Sequence, residues 1–547
     1  MSDGGRASGP TASSPPDPGA RPSRRAWLAS LAVFVGLAVA HTWPLATAPG
    51  TLSRNDNGDA VLHEWIMAWV AHQVVNDPLH LFDANIFFPE RNTLAYSDHL
   101  FVPSMMVAPL LWAGASPVLA HNIALLAGLA LTGWVTCLVV RRWTASWAAG
   151  LLSGCLVAFN SFTLTRLTQI QDLHLEFFPL LLVALDRLMA RPSVRHALAA
   201  AVWYVLQALT GTYVMVFTAL AAFAAAVSRP REWTGTFIRY ALLAAAVAGA
   251  LLLPFLLPYY FARVEVGLGR SLEEVRQFSA APTDYLAAAG RVHFVTWSRR
   301  YFEGDALFPG VTSLVLAAVG LLTAVRRDPR ARMVLAFGLA AFAMSFGPAF
   351  PPYRWLYLVF PPLAGIRGAV RFGQFAVVAL GVLAGFGLAR LQHRGQARWP
   401  LTAALLVAAN AEAWVAPITY TPYRGIAPVY DVLPRLGRQA VLVWLPFPSS
   451  AQFQLNAPFM LVSTRTWQRM LNGYSGFKPP SYYRHAEALA RFPDAASVRY
   501  LVEVGVTHVL VDGRNMTADR LAQLADFPQL HLWVTDGNLR VYLLTAS

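Results

Sequence analysis

Apolar runs about as long as a bilayer-spanning helix, roughly 20 residues, alternate with short polar loops over the first three quarters of the chain. This pattern predicts eleven helical segments, near 27–47, 118–140, 147–163, 175–190, 196–210, 212–228, 237–258, 307–325, 331–347, 370–390 and 399–416. The stretch 100–113 (LFVPSMMVAPLLWA) is apolar too, but it is short and broken by proline, which predicts a re-entrant or interfacial helix. Residues 1–24 are rich in Ser, Pro, Gly and Ala without periodicity and read as a disordered tail. The apolar run from Trp27 is too long for a signal-peptide core, so it reads as an uncleaved first span.

After residue 416 the pattern changes. AVLVWLPF (440–447), THVLVDG (507–513), LHLWVTDG (530–537) and LRVYLL (539–544) read as strands. SVRYLVEVG and TADRLAQLADF read as helices opened by Ser497 and Thr517 as N-caps. Asp536-Gly537-Asn538 is a hairpin turn. The expected fold class is therefore mainly α. It is a polytopic transmembrane helical bundle over 25–416, with outer loops 48–117 and 259–306, followed by a small extracytoplasmic α/β domain over 417–547.

Composition sharpens this picture. The 547 residues are 56% hydrophobic and only 13% charged, about half of what soluble domains carry (roughly 25%). The net charge of +14 comes from arginine, since Lys478 is the single lysine. Arginines cluster in alternate loops: Arg141/Arg142, Arg191/Arg195, Arg229/Arg231/Arg239, Arg326/Arg327/Arg330/Arg332 and Arg390/Arg394/Arg398. Five loops in one phase fit the positive-inside rule. They put the N-terminus in the cytoplasm and leave 48–117, 259–306, 348–369 and everything after 416 outside. Charge distributed over loop ends argues against a nucleic-acid partner. Cys137 and Cys155 lie in apolar runs, which excludes a disulfide framework or a cysteine-type zinc site.

The ionisable residues left on the outer side are candidates for chemistry. In SRNDNGDAVLHEWIMAWVAHQ, Asp56-Asn57-Gly58-Asp59 leads into a helix on which Asp59 and His63 share a face. Val61, Trp65 and Trp69 form an apolar stripe fit to rest on the bilayer surface. Asp59 or Asp56 is suited to act as general base toward a hydroxyl or to bind a hard cation, while an Asx turn and helix cap is the plainer reading. Glu64 is a weaker candidate. Asp98 and His99 sit before the short apolar segment, as site residues or as caps. Arg166, Asp172, His174 and Glu176 crowd the ends of two spans, where His174 alone is a weak metal signal. Arg367 and Arg371, four apart at a helix start, suit a phosphate-bearing lipid headgroup. The competing reading is that they pair with Glu303 or Asp305.

Together these stretches resemble the bacterial GT-C membrane glycosyltransferases, especially the YfhO-type. The resemblance rests on the acidic first outer loop, on NIFFPERNTLAYSD, QDLHLEFFPLLLVALDRL and LTGTYVMVF, on GIRGAVRFGQFAVVALGVLAGFGLARL, and on the tail from GYSGFKPP to THVLVD. It implies transfer of a sugar from a polyprenyl-phosphate donor to a glycan, lipid or protein acceptor of the cell envelope. It also implies Asp59, with Asp56 as rival, as catalytic base, and Arg367 and Arg371 as contacts to the donor phosphate. His174, Glu176, Asp98, His99 and Arg166 are the further substrate-binding candidates. No Asp-x-Asp pair is present; the spacing is Asp-Asn-Gly-Asp, so no cofactor is implied and a divalent cation stays open. The alternatives are a lipid or sugar transporter or flippase, or a non-catalytic envelope assembly protein.

Overall fold

The computed structural model describes residues 23–54, 57–392, 398–437 and 439–546. The first helices are α1 (Arg24–His41), α2 (Gly58–Asn76), α3 (Phe101–Trp112), α4 (Pro117–Thr144), α5 (Trp147–Ala158), α6 (Ser161–Thr165), α7 (Ile170–Leu173), α8 (Phe177–Ala190) and α9 (Val194–Ala208). They are followed by α10 (Thr212–Val227), α11 (Gly235–Val266), α12 (Leu272–Gln277), α13 (Arg291–Thr296), α14 (Val311–Thr323), α15 (Pro329–Ser345), α16 (Pro351–Val359), α17 (Phe372–Gln392) and α18 (Arg398–Ala413). Each of the eleven apolar segments holds a helix. Local chemistry sets their ends. At α4, Ser116 accepts from the backbone N–H of Leu119, Pro117 occupies the first helical position, and Ala145 closes the helix at φ +58°.

Among the described residues, four segments are long and apolar enough to cross a membrane: Pro117–Thr144, Trp147–Thr165, Gly235–Val266 and Ala369–Gln392. They sit at opposite extremes of burial. The apolar window of the segment containing α17 is 94% buried, whereas that of α11 is 11% buried. The first is thus the spine of the bundle, packed by α5, α14 and α15. The second is a peripheral helix whose apolar side chains face outward, the signature of a lipid-facing element. At one end of the bundle, Asp186 accepts from Arg229 (2.6 Å) and Arg330 (3.2 Å), and Arg330 also reaches the Trp143 carbonyl (3.4 Å). The loops that carry Arg229 and Arg330 therefore meet beside the C-terminal ends of α4 and α8.

The C-terminal part holds a five-stranded sheet built from β3 (Val441–Leu445), β4 (Arg469–Met470), β5 (His508–Asp512), β6 (Leu530–Asp536) and β7 (Leu539–Leu544); β1 (Leu52–Ser53) and β2 (Thr421–Pro422) pair separately. The order is β4-β3-β5-β7-β6, with β3 parallel to β4 and β5 and the remaining pairs antiparallel. Around it lie α19 (Ala457–Ser463), α20 (Pro480–Ala488), α21 (Ala495–Val504) and α22 (Ala518–Gln523). The β6–β7 hairpin turns at Gly537-Asn538, with Gly537 at φ +56°. Thr517 caps α22, but α21 begins earlier than the sequence reading placed it. Asp494 is its N-cap and Ser497 occupies the third position of a capping box.

This sheet does not stand apart from the rest. The segment 85–88 runs beside β4, through Phe88 N–H to Met470 C=O (2.9 Å) and Met470 N–H to Asn85 C=O (2.8 Å). β1 of the first long loop pairs with β2. One hydrophobic core runs from Phe34 through Trp65 and Phe87 to Trp444 and Leu510. The helix α2 is accordingly enclosed. Val61, Trp65 and Trp69 are all buried, and the Trp69 indole donates to the Leu81 carbonyl (2.8 Å). The expected stripe lying on a bilayer surface is thus a core stripe, because α3, α4 and α19 cover it.

Candidate active site

The start of α2 is fixed by Asn57, whose side chain accepts from the backbone N–H of Asp59 (2.8 Å). This aims the Asp59 carboxylate sideways into a hydrogen-bonded clamp. One oxygen accepts from the Tyr474 hydroxyl (2.7 Å), the other from the Gln169 amide (2.9 Å). One turn on, His63 donates from Nδ1 to the Thr168 carbonyl (2.6 Å), which fixes its tautomer. Burial raises the Asp59 pKa, but the Tyr474 hydroxyl, His63, Gln169 and Arg371 together outweigh it. The carboxyl is held below the ordinary aspartate value. Burial lowers the pKa of His63 against the pull of Asp59.

Gln169 connects the Asp59 carboxylate to a guanidinium. Its carbonyl oxygen accepts from Arg371 (3.4 Å) and from the Gln171 amide (3.0 Å). The Arg371 guanidinium lies over the Tyr213 ring at 4.7 Å and 3.8 Å from Asp172. The Arg367 backbone N–H donates to the Tyr213 hydroxyl (3.1 Å), and its side chain lies over Phe278 and 4.0 Å from Glu274. The two arginines do not share a helix face. Arg367 belongs to a loop and Arg371 ends a single turn (Ala369–Arg371) before α17 begins. Tyr213, not helical spacing, brings them together. Their carboxylate neighbours are Asp172 and Glu274; Asp305 pairs with Arg166 instead.

Asp59, His63, Asp98, Gln169, Gln171, Tyr213, Arg367 and Arg371 all line one cavity of about 290 Å³. Its other wall is apolar and aromatic. Leu256, Tyr259 and Tyr260 come from the exposed helix α11, Pro361, Pro362 and Ile366 from the segment before Arg367, and Phe477 from the C-terminal part. Arg263 and Arg270 stand there as well. Arg270 is held by Glu274 (2.8 Å) and the Gly476 carbonyl, whereas Arg263 is exposed and unpaired among the described residues. Asp98 contributes to the wall, but one of its oxygens accepts from the backbone N–H (2.6 Å) and hydroxyl (2.5 Å) of Thr212, so it also tethers the start of α10.

Four of the sequence candidates stand away from the cavity. His174 is fully buried and bridges Glu176 (2.8 Å) and the Ala124 carbonyl (3.0 Å), while Glu176 also accepts from Thr132 (3.3 Å). His99 accepts from the Phe101 backbone N–H (3.1 Å) inside an aromatic cage. Arg166 lies over Phe162, paired with Asp305 and 3.9 Å from Asp172. All four are held by internal partners, which explains why charged groups persist so near the apolar runs. Glu64, bonded by Ser53 (2.7 Å), is pushed up to about 8 by burial and also lies off the cavity. Asp56 lies outside the described residues. Among the described residues no group of three His, Cys, Asp or Glu side chains is placed to hold a metal ion. The residues of the cavity and the Asp59 clamp that sequence reasoning did not single out include Gln169, Gln171, Tyr213, Tyr474, Arg263 and Arg270. Of these, Gln171, Tyr213 and Tyr474 fall in stretches with a family resemblance, QDLHLEFFPLLLVALDRL, LTGTYVMVF and GYSGF.

The fold is that of the GT-C membrane glycosyltransferases. The structure is similar to the arabinofuranosyltransferase AftD from Mycobacteria, with a TM-score of 0.63 and 15% identity over 96% of this chain and 40% of that one. It is also similar to the oligosaccharyltransferase of Archaeoglobus fulgidus, with a TM-score of 0.51 and 12% identity over 92% of this chain and 71% of that one. The chain thus spans well under half the length of the mycobacterial protein. No protein-family profile and no curated protein matches the sequence.

Proposed function

We propose that this protein is a membrane glycosyltransferase, moving a sugar from a polyprenyl-phosphate donor to a cell-envelope acceptor at the outer face of a bacterial membrane. The observation that carries this reading is the convergence of Asp59, Arg367 and Arg371 on a single cavity whose opposite wall is the outward-facing helix α11. The acid supplies a base and the guanidiniums an anion seat. The exposed apolar helix supplies a hydrocarbon boundary for a lipid tail.

In the proposed reaction an acceptor hydroxyl oxygen attacks the anomeric carbon of the donor, and the bond from that carbon to the phosphate oxygen breaks. The bonding electrons leave with the polyprenyl phosphate. The hydroxyl proton passes to Asp59, which its clamp keeps ionised. Arg371 and Arg367 neutralise the charge that grows on the leaving phosphate, an interaction that strengthens toward the transition state. Gln169 sets the spacing of base and guanidinium through its bonds to both. The eleven-span topology, the cytoplasmic N-terminus and an extracytoplasmic 417–547 belong to the same proposal. They are supported by the meeting of the Arg229 and Arg330 loops at Asp186.

The test is transfer from a polyprenyl-phosphate sugar by the purified protein in lipid nanodiscs. Asp59→Asn is expected to lower turnover by about 10²–10⁴-fold while leaving the elution profile of the protein unchanged. Wild-type turnover by a folded Asp59→Asn protein overturns the assignment.

A further inference from the structure

A second, larger cavity of about 740 Å³ opens at the carboxyl ends of β3 and β5, in the size range of specific ligand pockets, roughly 300–1,000 Å³. Carboxyl ends of adjacent parallel strands are where α/β sheets place their ligands. Here the loops after the two strands supply Phe447 on one side and Asp512, Arg514 and Asn515 on the other.

The chemistry of this cavity is neutral and two-faced. Asp512 accepts from Arg514 at the backbone N–H (3.0 Å), at Nε (3.0 Å) and at Nη2 (2.7 Å), and from Asn515 Nδ2 (3.3 Å). The carboxylate is therefore saturated and its charge matched, which disfavours an ionic ligand. It works as a brace. The Arg514 side chain stays 67% exposed with Nη1 uncommitted, and the carbonyl oxygen of Asn515 is left to accept. Gln452 accepts from Ser449 (3.3 Å) and keeps its NH₂ for a ligand. The Tyr423 hydroxyl is without a hydrogen bond among the described residues. Such mixed donors and acceptors suit hydroxyl groups, each of which both donates and accepts. The aromatic walls, Tyr423, Tyr430, Phe447 and Phe459, suit the C–H faces of a sugar ring. A peptide adding to the sheet edge fits poorly, because β3 and β5 are both interior strands.

The position ties this cavity to the first. Val61 lines it, whereas Asp59, Leu62 and His63 line the other, so the opening turns of α2 are the partition between them. The separation is about one helix diameter, ~10 Å. We propose that the cavity at the ends of β3 and β5 is a saccharide-binding subsite and that it holds the acceptor glycan beside Asp59. The acceptor role rests on the transferase reading above; the saccharide binding does not.

The experiment screens the full-length protein in nanodiscs against an array of neutral pentose and hexose oligosaccharides and short peptides, then titrates the best ligand. The expected result is saccharide binding that falls at least tenfold in Arg514→Ala and in Tyr423→Ala, both altered at partly exposed side chains. Asp59→Asn is expected to bind as the wild type does while losing transfer. Absence of saccharide binding, capture of peptides alone, or undiminished binding by both cavity variants overturns the subsite. Intact saccharide binding combined with wild-type transfer by Asp59→Asn keeps the subsite and removes the acceptor role together with the transferase reading.

Discussion

Asp59 owes its character to its neighbours. An aspartate at that depth would resist ionisation, yet a phenol, an amide, an imidazole and a guanidinium reverse the balance. A depressed carboxyl pKa means that the carboxylate stays ionised until the pH falls below the ordinary aspartate value of about 3.9. The same carboxylate contributes stability that is present above its unfolded pKa and lost as pH falls through the folded one. The acid limb of kcat/KM attributable to Asp59 is therefore expected below about pH 4. In Tyr474→Phe, which removes one hydrogen bond to the carboxylate, the limb moves upward; a pH–rate profile identical to the wild type would show that the clamp does not set the base. Asp59, Arg367 and Arg371 were legible in the sequence because charge beyond the apolar runs is rare and conspicuous. Gln169 and Tyr474 were not. A neutral amide and a phenol carry no positional signal, and they acquire a role only through contacts 110 and 415 residues away in the chain.

At the scale of elements, the apolar periodicity located the helices but said nothing of how closely they approach. The spine α17 and its neighbour α14 touch backbone to backbone. A methyl group at Gly387 would overlap the Leu316 carbonyl, and one at Gly320 would overlap that of Leu383. Small residues facing each other in this way let helices pack where no water drives them together. Gly387→Ala is expected to cost about 1–3 kcal/mol, as overpacking does, and to lower the melting temperature in detergent. An unchanged melting temperature would mean that the pair can part without loss. The four longer strands were visible from their alternation and flanking turns, whereas β4, only two residues long, offered no pattern. The start of α21 was misplaced because both Asp494 and Ser497 are good caps. Only the reciprocal bonds between them decide which one leads.

At the scale of the whole molecule, the sequence changes from helical to strand periodicity at about residue 416, and the five-stranded sheet lies after that point. The division does not describe the packing. Phe87, Trp65 and Trp444 belong to one core, β1 pairs with β2, and Tyr474 reaches Asp59. A chain ending at residue 416 would uncover α2 and leave the segment 85–88 without β4. Such a truncation is expected to aggregate or elute as a heterogeneous species on size exclusion; a monodisperse product would show two independently stable parts. Long-range pairing of this kind lies beyond sequence periodicity, which registers neighbours only a few residues apart.

The outward-facing side chains of α11 carry one further consequence. In the proposed transfer, a cavity bounded by such a helix is entered sideways, from within the leaflet, so the proposed lipid donor arrives by diffusion in a plane. Encounter then depends on how crowded that lipid is per unit of membrane area, and diluting the vesicles in buffer leaves the supply untouched.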